Sequence, residues 1–320
     1  MIINENLWKE YSKMAHTENP KYQIRNYIEC DAGKIGEFDK ILELSYRYYF
    51  DFVPENIFCA INSNEEILGV GHIEPHDTWN LINRDDVSSD FVYKMVLCIS
   101  LNPQFSYSEN LKDDLLKRLI DRAIEIREQY PHKKIRVFKW LSSEDYNEID
   151  FYLSQGFVAF QNSIVMKYDL SQRIPDIRKP EGITVNMSKL ESEEELKQYH
   201  EAESIAFSGI VWSMNLLRWY RGGPEWICFS VFNENHLIGS SMTWMITEER
   251  SAIENIFVMP EWRNKNIAKY MITEALKYLK NKGKSIATLS VHGDNKPAIS
   301  LYNSLGFKMF GIMIEFGYDI

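Results

Sequence analysis

The chain has little of what would mark an exported, metal-dependent or membrane-bound protein. Its four cysteines, Cys30, Cys59, Cys98 and Cys228, lie far apart and form no CxxC pair. They read as free thiols in a reducing cytoplasm. The seven histidines are scattered, so no metal site is expected. No apolar run approaches the roughly 18 residues of a spanning helix. The opening MIINENLWKEYSK has no basic region leading into an apolar core, so neither a membrane nor a secretory signal is expected. There is no basic stripe either. The formal net charge is −10, which argues against nucleic acid and against an anionic membrane surface as partners.

What is present is enough for two domains of ordinary size: 320 residues, 45% of them apolar. The richest stretch lies near the C-terminus. An apolar strand around Ile253, Ile256 and Val258 runs through Arg263-Asn264-Lys265-Asn266-Ile267-Ala268 into a helical pattern at Tyr270, Met271, Ala275, Leu276 and Leu279. A tight strand-to-helix turn aims the first helical N–H groups outward, and the helix dipole adds positive potential there. That combination favours an anion, commonly a pyrophosphate.

Further on stands Asn295-x-x-Ala298-x-x-x-Tyr302-x-x-x-Gly306-Phe307. Together with Val258-x-Pro260-x-x-Arg263 and Ala268 this resembles the GNAT superfamily of acyl-CoA-dependent N-acyltransferases. Asn266 stands where that family has glycine. Asn is the next most tolerant residue of a left-handed conformation, so the turn is expected to survive.

The pattern occurs twice. Phe151-Tyr152-Leu153-Ser154-Gln155-Gly156-Phe157 mirrors Leu301-Tyr302-Asn303-Ser304-Leu305-Gly306-Phe307. Upstream, Ile99–Phe105 mirrors Ile256–Trp262, and Ile67-Leu68-Gly69 mirrors Leu237-Ile238-Gly239, in the same order. Residues 171–182 hold two prolines and no apolar period and read as a linker. The tandem plan resembles the two-domain branch of the superfamily, which includes mycothiol synthase-like enzymes. The fold implied is α/β (α+β): two tandem GNAT folds, each a mixed, mostly antiparallel central sheet flanked by helices. They are expected at 1–170 and 183–320, in a chain that is a monomer because it contains its own pseudo-dimer.

The resemblance also implies chemistry. Acetyl-CoA is the co-substrate, and the acceptor is the amine of a small molecule or peptide. Main-chain groups of Ile256, Phe257 and Val258 bind pantetheine in a gap between strands 252–259 and 286–292. Arg263, Asn264, Lys265, Asn266, Ile267 and Ala268 form the pyrophosphate turn, with Arg263 and Lys265 facing either phosphate or solvent. Tyr302 is the general acid on the leaving thiolate. Asn295 caps the helix that follows it, contacts the cofactor, or does both. Glu254 is the candidate general base, with His292 as the alternative. Its parity with Ile256 and Val258, which look core-facing, needs a bulge before it can reach a site. Trp212, Trp219, Tyr220, Trp226 and Trp244 divide between acceptor wall and core.

The N-terminal copy reads as degenerate and structural. Its turn, Ser106-Tyr107-Ser108-Glu109-Asn110-Leu111, lacks a basic residue and puts Glu109 where phosphate would lie. Asp145 and Glu148 replace Asn295 and Ala298, although Tyr152 survives. Two other readings remain at this point: a non-catalytic acyl-CoA-binding regulatory module, and an aminoacyl transferase, which the absent basic stripe disfavours.

Overall fold

A computed structural model describes residues 22–49, 51–105 and 110–320. These pack as two compact units.

The smaller unit holds the described residues up to Arg47, Phe52–His72 and Ile99–Ile120. Strands β1 (Tyr22–Asn26), β2 (Ile57–Asn62) and the first part of β3 (Ile67–Pro75) pair antiparallel in it. Helices α1 (Asp31–Gly36) and α2 (Lys40–Tyr48) lie between β1 and β2 in sequence. The sequence reading did not include these two helices. Asp31, though 1% exposed, is held by two Arg25 hydrogen bonds at 2.6 and 2.8 Å, which compensate its burial.

The larger unit comprises Tyr48–Asp51, Ile73–Cys98 and Asp121–Ile320. It contains most of β4 (Val92–Leu101), then β5 (Lys134–Ser142), β6 (Val158–Asp169), β7 (Ile183–Ser188), β8 (Ile227–Asn233), β9 (His236–Met245), β10 (Arg250–Val258), β11 (Ile286–His292) and β12 (Lys308–Asp319). Their order across the sheet is β4-β5-β12-β6-β11-β10-β9-β8-β7. Only β4 with β5 and β10 with β11 run parallel. The mixed, mostly antiparallel sheet expected from the sequence is therefore present. Helices α3 (Leu111–Arg127), α4 (Tyr146–Ser154), α5 (Glu193–Ala206), α6 (Met214–Arg221), α7 (Ile267–Asn281) and α8 (Lys296–Leu305) complete the chain.

The duplication is visible in the element order. β4–α3–β5–α4–β6 is repeated by β10–α7–β11–α8–β12. The last strand of each repeat is exchanged: β12 lies between β5 and β6, and β6 lies between β12 and β11. Each repeat therefore completes its sheet with the strand of the other. The packing repeats at the level of single residues. Gly156 and Gly306 both end their helices at positive φ, +83° and +104°. A Cβ on Gly156 would meet the Tyr318 ring at 3.6 Å, and one on Gly306 would meet the Tyr168 ring at 3.2 Å. The following phenylalanines face the same tyrosines, with ring centroids 5.6 Å apart for Phe157–Tyr318 and 5.4 Å for Tyr168–Phe307. Residues 171–182 contain no helix or strand.

The core beneath the second repeat explains why α7 forms as it does. Ile267, Met271, Ile272, Ala275, Leu276 and Leu279 recur at helical spacing on one face and are all buried. They pack on Phe229, Val231, Ile253, Ala287 and Leu289 of the sheet.

Candidate functional site

The site is created where two strands part. β10 and β11 are laddered only from Arg250↔Ile286 to Ala252↔Thr288. Beyond that point β10 stays paired with β9 as far as Val258↔Gly239. β11 stays paired with β6 as far as His292↔Ser163. Their inner edges thus open a cleft with no ladder across it.

At the mouth of the cleft β10 bulges. Its register against β9 gains one residue between Glu254 and Phe257, and Asn255 sits at φ +51°. The bulge the sequence required of Glu254 is therefore present. It separates Glu254 from Ile256 and Val258: Val258 is buried in the core that also holds Ile253, Ile256 packs half-buried against that core and lines the cleft, and Phe257 joins the core on the other face. A bulge shifts every side chain beyond it by one position, which alternation alone cannot anticipate.

Two cavities meet at this bulge, and both are lined by Phe207, Ile256, Asn295 and Tyr302. The larger, of about 740 Å³, runs along Phe257 and Val258 to the turn, where Arg263, Asn264, Asn266, Ile267, Ala268 and Lys269 line it. Asn266 adopts φ 59°, ψ 13°, the left-handed conformation that glycine would take. It makes no side-chain cap, and the first turn of α7 holds no acidic residue. The leading N–H groups of α7 therefore stand in a groove lined by Arg263 and Lys269 and by no carboxylate. That chemistry fits a polyanion such as the CoA pyrophosphate.

Arg263 itself turns inward. Its guanidinium donates to the carbonyls of Val258 at 3.1 Å and Ala206 at 3.2 Å, fastening the end of α5 to the end of β10. Lys265 lies over the Trp262 ring, 4.4 Å from its centroid, and is not among the groove-lining residues.

The second cavity, of about 400 Å³, is reached past Ile256 and has a different character. Asp77, Glu203 and Glu254 line it together with His292 and Trp212, and no lysine or arginine does. Burial alone pushes the Glu254 carboxyl up to about 7. Burial also pushes the Glu203 carboxyl up to about 7, against a hydrogen bond from the Asn255 side chain. Trp212 stacks on Tyr220 at 4.6 Å, and Tyr220 lies 4.9 Å from Trp244. Trp226 is part of the core, 1% exposed.

Tyr302 is buried, and burial raises its phenol to about 12. The hydroxyl is therefore protonated at neutral pH. α8 places it, and Asn295 starts α8: its side chain accepts from the Ala298 N–H at 3.2 Å. Pro297 follows in the first turn, where a missing N–H costs nothing. Asn295 thus caps the helix and also lines both cavities.

In the first repeat Asp145 caps α4 in the same way, accepting from Glu148. Tyr152 is fully enclosed and lines neither cavity. The turn segment Ser106–Glu109, and with it the expected effect of Glu109, lies outside the described residues.

Glu203 and Asp77 were not found from the sequence. Glu203 occurs in a helix crowded with glutamates, which suggests a solvated face. Yet Leu196, Tyr199, Glu203 and Ala206 recur at three- and four-residue spacing and are all buried, and that spacing was the available signal. Asp77 comes from the segment after β3, far away in sequence, and carried no signal.

Residues 186–307 match the family model of the acetyltransferase (GNAT) family. An uncharacterised N-acetyltransferase of Methanocaldococcus jannaschii is 40% identical over 60 residues. That match covers 19% of this chain and about a quarter (26%) of the relative. Among solved structures, a GCN5-related N-acetyltransferase from Sphaerobacter thermophilus superposes with a TM-score of 0.63 at 15% identity, over 95% of this chain and 97% of its own. A tandem GNAT protein from the clavulanic acid biosynthesis pathway gives 0.63 at 12% identity, over 93% and 98%. At such identities these two establish the fold.

Proposed function

Starting from residues 186–307 as a domain of the acetyltransferase (GNAT) family, we propose that the chain transfers an acetyl group from acetyl-CoA to an amine, with the reaction centre in the second repeat. One observation carries this reading. A carboxylate-free groove that starts at uncapped helix N–H groups and an acid-lined cavity meet at Tyr302, Ile256 and Asn295. The groove suits an anionic donor and the cavity a cationic acceptor, and the reacting atoms belong where they join.

The acceptor arrives as an ammonium ion. The Glu254 carboxylate takes its proton, and the neutral nitrogen attacks the thioester carbonyl. A C–N bond forms and the C–S bond breaks. The Tyr302 hydroxyl gives its proton to the departing sulfur, and the second proton of the attacking nitrogen, released as the amide forms, restores the phenol; an amide and the CoA thiol remain, and Glu254 returns its proton to solvent. Burial that keeps the phenol protonated also disfavours a free thiolate, so the proton is drawn to sulfur. N–H groups on the opened edge of β10 are the candidates for polarising the thioester oxygen.

Thiol release from acetyl-CoA, followed against a panel of amines, tests the reading. Release that accelerates with an amine supports it. Acetyl-CoA binding without amine-dependent release across the panel would replace it with a non-catalytic acyl-CoA-binding role. On the same reading the chain works as a monomer, because its first repeat occupies the place of a second subunit.

A further inference from the structure

The acid-lined cavity has more negative charge than a single reacting amine needs. Glu254 lies at the bulge, at the junction with the donor groove. Glu203 projects from α5 into the same cavity. It is 1% exposed and accepts from Asn255 through one oxygen, while its other oxygen, Oε2, has no hydrogen-bond partner. Asp77 lines the cavity as well and is close enough to act on Glu203 electrostatically. The charge of Glu254, by contrast, is not among the influences on Glu203. The cavity thus has the Glu254 carboxyl on β10 and the Glu203 and Asp77 carboxyls, and no lysine or arginine among the residues that line it. An unpartnered buried carboxylate oxygen costs stability unless a donor reaches it. A cation that enters would supply both the donor and the missing charge.

We propose that the acceptor is a small molecule with two amino groups: one meets Glu254 and is acylated, and the other is held as an ammonium ion between Glu203 and Asp77. This rests on the acyl-transfer reading for the fate of the first amine, but the second contact is a binding claim of its own. Glu203 then determines specificity, rejecting monoamines by leaving its own Oε2 unpaired, while Asp77, already paired with His76 at 2.8 Å, adds negative potential.

The test is titration of cadaverine and of n-pentylamine, which have the same carbon chain, into the full-length protein saturated with CoA. Wild type is expected to bind the diamine at least tenfold more tightly. Glu203→Gln keeps an oxygen for the Asn255 bond and removes the charge. It should abolish most of that preference while CoA affinity stays near wild type and the protein still unfolds in one cooperative transition no lower than that of wild type. Asp77→Asn is the second variant and should reduce the preference in part. Equal binding of the two amines by wild type overturns the proposal, as does a preference that survives both substitutions. A preference that depends on Glu203, found in a protein that acylates neither amine, would uphold the diamine site and count against acyl transfer instead.

Discussion

Asn255 donates from Nδ2 to Glu203 Oε1 at 2.7 Å, joining the bulge of β10 to the inner face of α5. The bond is possible because Asn255 is left-handed, at φ +51°, which turns its side chain out of the strand alternation. One residue thus creates the kink that exposes Glu254 and orients Glu203. Replacement by alanine removes the donor and strains the backbone. A loss of roughly 1–3 kcal/mol is expected from the orphaned acceptor, read as a lowered thermal midpoint. Asn255→Gly tolerates the positive φ and should show the loss of the bond alone. If both variants melt with wild type, the bond has no structural weight.

Tyr302→Phe keeps the ring and removes the proton donor. Turnover is expected to fall roughly 10²–10⁴-fold, the usual worth of a positioned acid, with acetyl-CoA affinity nearly unchanged. Tyr152→Phe lies in the enclosed counterpart and should leave turnover close to wild type. The reverse pattern would place the reaction in the first repeat.

Asn266 controls the phosphate turn. Asn266→Asp puts a carboxylate beside the leading N–H groups of α7 and should weaken CoA binding sharply. Asn266→Gly relieves a left-handed position and should bind as well or better. Calorimetry on wild type is expected to give one CoA site per chain. Two sites would require a working donor turn in the first repeat too.

Glu254 must be ionised to accept a proton, and burial holds its carboxyl near 7. Accordingly kcat/KM should rise with pH through about 7 and level off above it. Glu254→Gln should remove that rising limb along with most of the rate. If instead His292→Asn removes the limb and Glu254→Gln keeps it, the imidazole is the base.

Stability should carry the mark of Glu203. Its folded-state carboxyl, near 7, lies above the 4.5 of an unperturbed glutamate. Between those values the folded protein holds a proton that the unfolded chain has released, so stability declines as pH rises through the window. Glu203→Gln does not titrate, so its thermal midpoint should gain on wild type from about pH 4.5 to 7. A constant offset between the two midpoints would mean that Glu203 is already ionised in the fold.

The sequence by itself determined the mixed, mostly antiparallel sheet and the resemblance that residues 186–307 bear to the acetyltransferase (GNAT) family. The 286–292 strand and the helix through Tyr270, Met271, Ala275, Leu276 and Leu279 occur at the expected residues, because apolar periodicity and turn residues act locally. The Asn295-to-Phe307 pattern located Tyr302 and its cap for the same reason: the Asn295 cap, the Pro297 first turn and the Gly306 end all lie within one helix and its flanking turns. What the fold decided are relations between distant segments. The register gain in β10 depends on β9, so only pairing revealed that Glu254 lies on the opposite face from Ile256 and Val258. The exchange of β6 and β12 is a choice between two equally apolar partners, which alternation cannot distinguish. The acidic cavity joins Asp77, Glu203 and Glu254 from three separate stretches of chain. Asp77 and Glu203 look like ordinary surface carboxylates until packing removes the water around them, and only the buried spacing around Glu203 hints at that removal.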